Sequence, residues 1–233
     1  TNSDNASGWS NFTSAKSNIT FEITSGNVSA AQLAILAGDT SRSDISTTDG
    51  GGLFISDSLG NLITDNGTTA SNSTDFATAL SHTDGENIRL SAAITVAAGA
   101  SGTQDIRQFN KLISSAEGGL TAEITDHSSN LLLTHGVGDG LRLTGTGSND
   151  SITVNLGTVA ATASLLTELD TLAGQAGVSS LTANVTGVTD ALITHLDSLS
   201  NLTTASKLDI SYTTSGGIID FDQAVILAGK TGK

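Results

Sequence analysis

Leucines spaced three residues apart give way to an alternating pattern between residues 166 and 186. Leu166, Leu169 and Leu172 fall on one face of a helix. Gly174 follows the last of them, and a glycine in the left-handed conformation commonly ends a helix. In the segment Leu181–Thr186, apolar and polar residues alternate, which is the period of a strand with one buried face. The stretch therefore predicts a helix, a glycine stop and a strand.

The same pattern returns along the chain. Residues 193–213 match residues 166–186 without a gap at an offset of 27, so that Leu196 corresponds to Leu169 and Leu208 to Leu181. Residues 33–47 also match without a gap, residues 109–125 match with one residue slipped, and residues 76–92 match more weakly. Residues 224–233 repeat the helix and stop before the strand. An internal repeat of this length predicts units that stack on their neighbours.

We therefore predict a mixed α/β fold, in which repeated strand–helix–strand units stack as an elongated solenoid-like domain with a β-rich middle. A compact α+β domain is the alternative. The middle is predicted to be β because short apolar segments alternate there with glycine turns. The predicted organisation is an N-terminal arm over residues 1–17, a first set of strand–helix units over 18–127, a β-rich segment over 128–157 and C-terminal strand–helix repeats over 158–233.

Local sequence signals predict where the helices start, a hairpin and a further strand, and which leucines are buried. Residues 52–57 and 61–65 predict a hairpin, and residues 87–97 predict one strand. Four leucines of the repeat are predicted to be buried: Leu169, Leu172, Leu196 and Leu199. The predicted helix starts are Ser29 with Gln32 and Asp220 with Gln223 as capping boxes, and Ser73 or Thr74, Thr103, Thr158 and Thr189 as simple caps.

The amino-acid composition argues against several classes of partner and binding site. The net charge of −14 argues against nucleic acid or an anionic membrane surface as the partner. The chain has no cysteine, methionine or proline, so it can form neither a disulfide nor a thiolate metal site. No apolar run is long enough to cross a membrane, which predicts no membrane insertion. Because the chain begins at Thr1, we expect it to be an exported protein whose signal peptide was removed, or a slice of a longer protein.

Residues that could carry catalysis are scattered. The four histidines, His82, His127, His135 and His195, lack the spacing of a helical metal pair, and His195 is predicted to flank a packing face. No G-x-S-x-G segment is present, and the terminal Gly-Lys-Thr lacks the first glycine of a phosphate-binding loop. The sequence therefore predicts no enzyme and no resident cofactor.

One segment raises the question of calcium. In residues 143–154, Gly145 lies five residues before Asp150, and Ile152 lies two residues after it. This segment resembles the calcium-binding nonapeptide of RTX proteins, in which turn oxygens converge on the cation. The resemblance implies Asp150 and Asp139 as calcium ligands. The alternative is an ordinary Asn-Asp turn that leads into a strand.

The sequence also gives candidate residues for subunit contacts and for glycosylation. Apolar residues near the two ends are predicted to join subunits: Trp9, Phe12, Phe21, Val225 and Leu227. Candidate N-glycosylation sites are the asparagines that precede x-Ser or x-Thr: Asn5, Asn11, Asn18, Asn27, Asn66, Asn72, Asn149, Asn184 and Asn201.

The repeat itself, at residues 28–47 and 159–186, resembles the tandem repeats of large secreted surface proteins of bacteria, cyanobacteria especially. The acidic, cysteine-free composition is also similar to bacterial S-layer and RTX-adhesin proteins. The resemblance implies an extracellular, cell-surface protein. We predict a structural subunit or segment of a filament or surface layer that assembles with itself head-to-tail through its termini. The alternative is a calcium- or glycan-dependent adhesin module that binds surface glycans.

Overall fold

The computed structural model describes residues 22–23, 26–37, 46–47, 53–81, 87–96, 100–116, 118–126, 147–203, 207–216 and 219–231. Helices alternate with strands through these residues, and most of the strand pairs are parallel. The predicted mixed α/β class is therefore confirmed. The chain divides into two compact bodies, the first made of Thr1–Ala92 with Lys111–Thr121 and the second of Ala93–Asn110 with Ala122–Lys233. The four predicted segments stay a prediction.

In the first body, parallel strands are joined through short helices. Its described strands are β1 (Glu22–Ile23), β2 (Gly26–Val28), β3 (Ser46–Thr47), β4 (Leu53–Asp57), β5 (Ile63–Asp65), β6 (Ala70–Asn72) and β7 (Asn87–Leu90). Its described helices are α1 (Ala30–Ala37), α2 (Leu59–Leu62) and α3 (Thr74–Leu80). Strand β4 pairs in parallel with β2 and β7, β1 pairs in parallel with β3, and β5 pairs antiparallel with β6.

Helix α4 (Ala100–Ser115) and strand β9 (Gly119–Thr125) contribute residues to both bodies. The elements wholly inside the second body are β8 (Ile94–Thr95), β10 (Ser151–Ala160), α5 (Ala163–Ala173), β11 (Val178–Val188), α6 (Asp190–Asp197), β12 (Leu208–Thr214) and α7 (Phe221–Ala228). Strands β9, β10, β11 and β12 lie side by side in chain order. A helix connects β10 to β11 and another connects β11 to β12, and both of these strand pairs are parallel.

The core of the second body lies between one face of this sheet and its helices. Val154 on β10, Leu181 on β11 and Leu208 on β12 are fully buried, as is Leu169 on α5. Buried and solvent-facing residues alternate along β10 and β11, as the sequence pattern predicted. The helices therefore cover the apolar face of the sheet and leave the polar face to solvent.

The central sequence predictions are confirmed. The helix, glycine and strand predicted for residues 166–186 are α5, its cap Gly174 and β11, and the copy 27 residues later contains the end of α6 and β12. Both capping boxes form: at the first, Gln32 N–H donates to Ser29 Oγ at 3.2 Å and Ser29 N–H donates to Gln32 Oε1 at 3.0 Å. Ser73 and Thr189 are N-cap residues, as predicted.

The left-handed conformation predicted for Gly174 is wrong. Its φ is −75° and its ψ is −13°, which any residue can adopt. The position needs glycine for space, because a Cβ there would lie 2.7 Å from Nδ2 of Asn201. Packing against a later segment therefore explains this glycine, and backbone conformation does not.

The hairpin predicted between residues 52–57 and 61–65 is also wrong. Ser58 caps a short helix, accepting from Asn61 N–H at 3.4 Å, so α2 separates β4 from β5. Strand β5 pairs with β6 instead, across a turn in which Gly67 has a φ of 91°. Asn-Gly is a strong hairpin signal, and here it acts one strand later than predicted.

Two predicted helix starts fall inside other elements. Helix α4 begins at Ala100, so Thr103 lies within it. Thr158 lies within β10, because Gly157 with a φ of 60° and a register shift between Asn155 and Thr158 let the strand continue through a bulge. Thr162 caps α5 instead, accepting from Leu165 N–H at 3.2 Å.

Three other predictions are confirmed only in part. The strand predicted over residues 87–97 is interrupted at residues 91–93, between β7 and β8. Of the predicted β-rich segment, residues 128–146 lie outside the described residues, and the remainder contains the first part of β10. Leu169, Leu172 and Leu196 are buried as predicted. Leu199 is half-buried, because α6 ends at Asp197, before this leucine can join the helix face.

Candidate assembly surface

Strands β11 and β12 are held in the register of the sequence repeat, and β10 shares that offset with β11 from Thr153 to Asn155. Val154 on β10 lies opposite Leu181 on β11, and Leu181 lies opposite Leu208 on β12. Each of these pairs is separated by 27 residues of chain, the offset at which the sequence repeats. Corresponding residues of successive units are therefore direct neighbours in the sheet.

A buried carboxylate ties α5 to the unit that follows it. Asp170 accepts from the backbone N–H groups of Asn201 at 2.7 Å and Leu202 at 2.8 Å. It also accepts from the side-chain Nδ2 of Asn201 at 3.1 Å. Asp170 is 8 % exposed and Leu202 is fully buried. A carboxylate with three donors is well stabilised out of water, so this group acts as a junction between the units.

Lysines make the same kind of connection at the ends of helices. Lys207 Nζ donates to the carbonyl oxygen of Gln175 at 3.3 Å, just past the end of α5. Lys230 Nζ donates to the carbonyl oxygen of Leu199, just past the end of α6. Both carbonyl groups lie in the turn that follows a helix, and that of Gln175 also accepts from Val178 N–H at 3.3 Å. Each lysine therefore binds the turn after a helix of the preceding unit.

His195 connects α6 back to α5. Its Nε2 lies 3.1 Å from the carbonyl oxygen of Ala163 and 3.0 Å from the hydroxyl of Thr167. The Ala163 carbonyl also accepts from the Thr167 hydroxyl at 2.9 Å. His195 is half-buried, and its contacts are those of a residue between two packed helices.

The single tyrosine lies on the last described strand. Tyr212 on β12 donates from its hydroxyl to the carbonyl oxygen of Lys230 at 3.4 Å. Burial raises the pKa of this hydroxyl well above its usual value, and the charge of Asp170 adds to the increase. Tyr212 therefore stays neutral in the folded protein across the physiological range.

Helices α5 and α7 end alike but differ in exposure. Both end in Leu-Ala followed by a C-cap glycine, Gly174 in α5 and Gly229 in α7. When the helices are aligned on these caps, Phe221 corresponds to Leu166, which is fully buried, yet Phe221 is 80 % exposed. Val225 corresponds to Asp170, the junction carboxylate, and is 54 % exposed.

The exposed residues of α7 form one stripe. Phe221, Val225 and Ala228 are spaced four and three residues apart, which places them on one side of a helix, and all three are exposed. In α5 the corresponding stripe includes Asp170, which Asn201 and Leu202 of the following unit cover. We call the three exposed residues the α7 stripe. It is the side on which α5 receives its neighbour.

Beside the α7 stripe, Thr231 lies against the edge of β12. Ile210 N–H on β12 donates to the carbonyl oxygen of Thr231 at 3.1 Å. This bond repeats the one between β11 and the start of β12, where Leu181 N–H donates to the carbonyl oxygen of Lys207 at 2.8 Å. Within the described part of the chain, β11 is the strand that pairs with β12. We call this edge of β12 and the α7 stripe together the C-terminal surface.

The sheet face away from the helices is polar. Ser211 Oγ on β12 donates to Oδ1 of Asn184 on β11 at 3.1 Å, and these residues lie opposite each other. Hydroxyl, amide and carboxylate side chains follow the strands across this face. We call this surface the polar sheet face, and its members include Thr153, Asn155, Thr182, Asn184, Asp209, Ser211 and Thr213.

Of the two predicted calcium ligands, Asp139 lies outside the described residues. Asp150 Oδ2 accepts from Gly147 N–H at 2.7 Å, and Asp150 N–H donates to the carbonyl oxygen of Gly147 at 3.1 Å. The carboxylate thus takes part in the turn before β10. Among the described residues, no cluster of three or more histidine, aspartate or glutamate side chains is arranged to hold a metal ion.

The predicted interface residues fall in different environments. Trp9, Phe12 and Phe21 lie outside the described residues. Val225 is exposed, whereas Leu227 is 9 % exposed and faces the core.

The candidate glycosylation sites also differ. Asn72 is half-buried and accepts from the hydroxyl of Ser115 at 2.9 Å, and the amide of Asn201 donates to Asp170. Asn5, Asn11 and Asn18 lie outside the described residues, and Asn27, Asn66, Asn149 and Asn184 are exposed.

Sequence reasoning missed the junction residues Asp170, Asn201, Lys207 and Lys230, and it missed Phe221. One signal was present: Asp170 lies one turn from Leu166 and from Ala173, on the apolar side of the helix. When the helix is packed, a carboxylate at such a position needs a hydrogen-bond donor or a cation as its partner. Its partner lies 31 residues away, and no local pattern names that partner.

Comparison with models of protein families, with curated proteins and with solved structures finds no match for this chain. Among the helices within the described ranges, none has the length and apolar character needed to span a membrane.

Proposed function

We propose that this chain is a structural subunit or segment of an extracellular filament or cell-surface layer, built of stacked strand–helix units in an elongated solenoid. The partner in this assembly is another copy of the same chain. Its role is to extend a continuous sheet and helix layer, and it needs no catalytic centre.

The agreement between repeat offset and strand register carries this proposal. In a solenoid each unit contacts its neighbours along one axis, so corresponding residues must stack directly. Strands β11 and β12 have this property, because six successive pairs, from Leu181 with Leu208 to Thr186 with Thr213, are each separated by 27 residues. The junction bonds at Asp170, Lys207 and Lys230, which each join one unit to the next, support the same arrangement.

The exposed apolar residues of α7 support head-to-tail assembly. Exposed apolar side chains on the helix of a repeat unit offer a surface on which a further unit can pack. The α7 stripe is such a surface, since Phe221 is 80 % exposed. A contact between two different ends of the same chain builds an open filament unless it closes into a ring.

Electron microscopy of the purified chain tests the proposal. We expect ordered polymers of uniform width whose length grows with protein concentration. A matched sample that lacks Thr1–Ser17 tests the N-terminal arm, and we expect shorter polymers because Trp9 and Phe12 are lost. Monodisperse particles of one chain at all concentrations would contradict the structural role.

A second candidate is glycan binding, and the polar sheet face favours it. Hydroxyl and amide groups at the spacing of neighbouring strands offer paired donors and acceptors to sugar hydroxyls. Binding of polysaccharides by the purified chain, compared with an Asn184→Ala variant, tests this candidate. Melting with calcium and with a chelator tests its calcium-dependent form, and an Asp150→Asn variant serves as the control.

A further inference from the structure

We infer that the turn between β5 and β6 protects Asn66 from deamidation, and that Asp65 is the positioning residue on which this protection depends. Asn66 and Gly67 form the single Asn-Gly pair of the chain. The inference concerns one turn within the first body, so it goes beyond the proposed assembly and does not depend on it.

Deamidation at such a pair is a reaction of the chain with itself. The backbone nitrogen of Gly67 bonds to Cγ of Asn66 and loses its proton, and the side-chain NH2 group takes up a proton and departs as ammonia. Water then opens the five-membered ring to aspartate or isoaspartate. A glycine after the asparagine speeds ring closure, because no side chain shields its nitrogen and its backbone rotates easily.

The turn requires this glycine. Gly67 has a φ of 91°, in the left-handed region that other residues rarely adopt. Asn66, Gly67, Thr68 and Thr69 are all exposed. Burial therefore does not shield the pair from water, and its protection comes from the conformation of the turn.

The nitrogen that would attack is directed away from its target. Gly67 N–H donates to Oδ1 of Asp65 at 2.7 Å. In the ring, the bond from this nitrogen to Cγ of Asn66 takes the place of the N–H bond, so the hydrogen has to point towards Cγ before the ring can close. Here it points at the preceding side chain. The negative charge of that carboxylate also opposes the loss of the Gly67 proton.

The side chain that would be attacked is held in place as well. Oδ1 of Asn66 accepts from Thr68 N–H at 3.0 Å, from Thr69 N–H at 2.8 Å and from the Thr69 hydroxyl at 3.2 Å. Asn66 N–H donates to the carbonyl oxygen of Thr69 at 3.2 Å. A rotation that brings Cγ onto the Gly67 nitrogen has to break the bonds to Oδ1, which share one acceptor. Strand pairing between β5 and β6 fixes both ends of the turn.

Peptide mapping by mass spectrometry, after incubation in mildly alkaline buffer, tests the inference. It compares the 233-residue chain with a synthetic peptide of residues 63–71, in which Asn66 is the single asparagine. We expect Asn66 to deamidate more slowly in the chain by more than about tenfold, because the turn must open before the ring can close.

Two substitutions should weaken the protection. Asp65→Ala releases Gly67 N–H and should raise the rate at Asn66 by about threefold or more. Thr69→Val removes one donor to Oδ1 and should also raise the rate. Each variant is compared with a peptide that carries the same substitution, so that changes in intrinsic reactivity cancel. Asp75→Ala removes an exposed carboxylate at the start of α3 and is the matched control, with an unchanged rate.

Hydrogen exchange of the β6 amides shows whether the hairpin stays formed in Asp65→Ala. If it opens, Asp65→Asn decides, because this variant keeps an acceptor for Gly67 N–H and loses the charge; its rate should lie between those of the wild type and the peptide. A chain that deamidates as fast as the peptide would overturn the inference, as would Asp65 variants no faster than the wild type. A lower rate in Thr69→Val would also overturn it, since the donors to Oδ1 would then be assisting the attack on Cγ.

Discussion

The side-chain amide of Asn201 occupies the space in which a Cβ of Gly174 would lie, with Nδ2 2.7 Å from that position. The same amide group donates to Asp170, one turn earlier in α5. The end of one helix is thus shaped around a residue that follows the next helix. This contact fixes the end of α5 against a segment that lies after α6 in the chain.

Gly174→Ala should destabilise the fold by about 1–3 kcal/mol, since the new methyl group must displace the Asn201 amide. The backbone at Gly174 is right-handed, so conformational strain adds nothing to this cost. Gly229→Ala is the matched control, because a Cβ there meets nothing closer than 3.4 Å. Urea unfolding of both variants checks this, and an Asn201→Ala background should remove most of the Gly174 effect. Equal costs at both glycines would contradict the packing explanation.

Asp170→Ala should lower the free energy of unfolding by about 2–5 kcal/mol, because the buried N–H of Leu202 would lose its acceptor. Asp170→Asn keeps one acceptor oxygen and should cost less. Asp197→Ala, on an exposed part of α6, is the control and should change stability by less than about 0.5 kcal/mol. A near-neutral Asp170→Ala would show that the junction bonds contribute little.

Tyr212 should make stability fall at alkaline pH. Its pKa is raised in the folded state, so the unfolded chain releases the hydroxyl proton first as the pH rises above about 10. The stabilisation is complete below that pH and is lost above it, with a slope of up to about 1.4 kcal/mol per pH unit. Because the chain has one tyrosine, phenolate absorbance reports this group alone. Tyr212→Phe should remove its share of the slope, and a phenolate that appears near pH 10 without unfolding would contradict the prediction.

Leu169→Ala should cost about 2–5 kcal/mol, since Leu169 is fully buried between α5 and the sheet. Leu199→Ala is a fitting comparison, because the leucine spacing predicts that both residues are buried and the structure leaves Leu199 half-buried. Thermal or urea unfolding should show the smaller loss for Leu199→Ala. Similar losses would mean that Leu199 is packed as the repeat alone predicts.

Periodic features were readable from the sequence. The leucine spacing of α5 and the alternation of β11 gave the element types, because each period matches the geometry of one element. The 27-residue offset anticipated which residues would face each other across β11 and β12. Helix starts were less readable, since threonine is common throughout: Thr158 lies in a bulged strand, and Thr162 is the cap.

The contacts of Asp170 and Gly174 with Asn201 could not be predicted from the periodicity of the sequence. Asp170 and Asn201 are 31 residues apart, and their contact depends on how α6 ends and the chain turns afterwards. Gly174 looked like a left-handed helix stop because that is the common use of glycine there. Its actual reason is a side chain from another segment, which only the folded chain brings near.

Fibre diffraction from aligned assemblies tests the central claim most directly. If units stack along the assembly with their strands side by side, the spacing between strands, about 4.8 Å, should appear as a reflection along the long axis. Helices layered on the sheet should leave that reflection in place. A reflection of about 4.8 Å perpendicular to the axis would mean that the strands run along the filament, and it would contradict stacking of the strand–helix units.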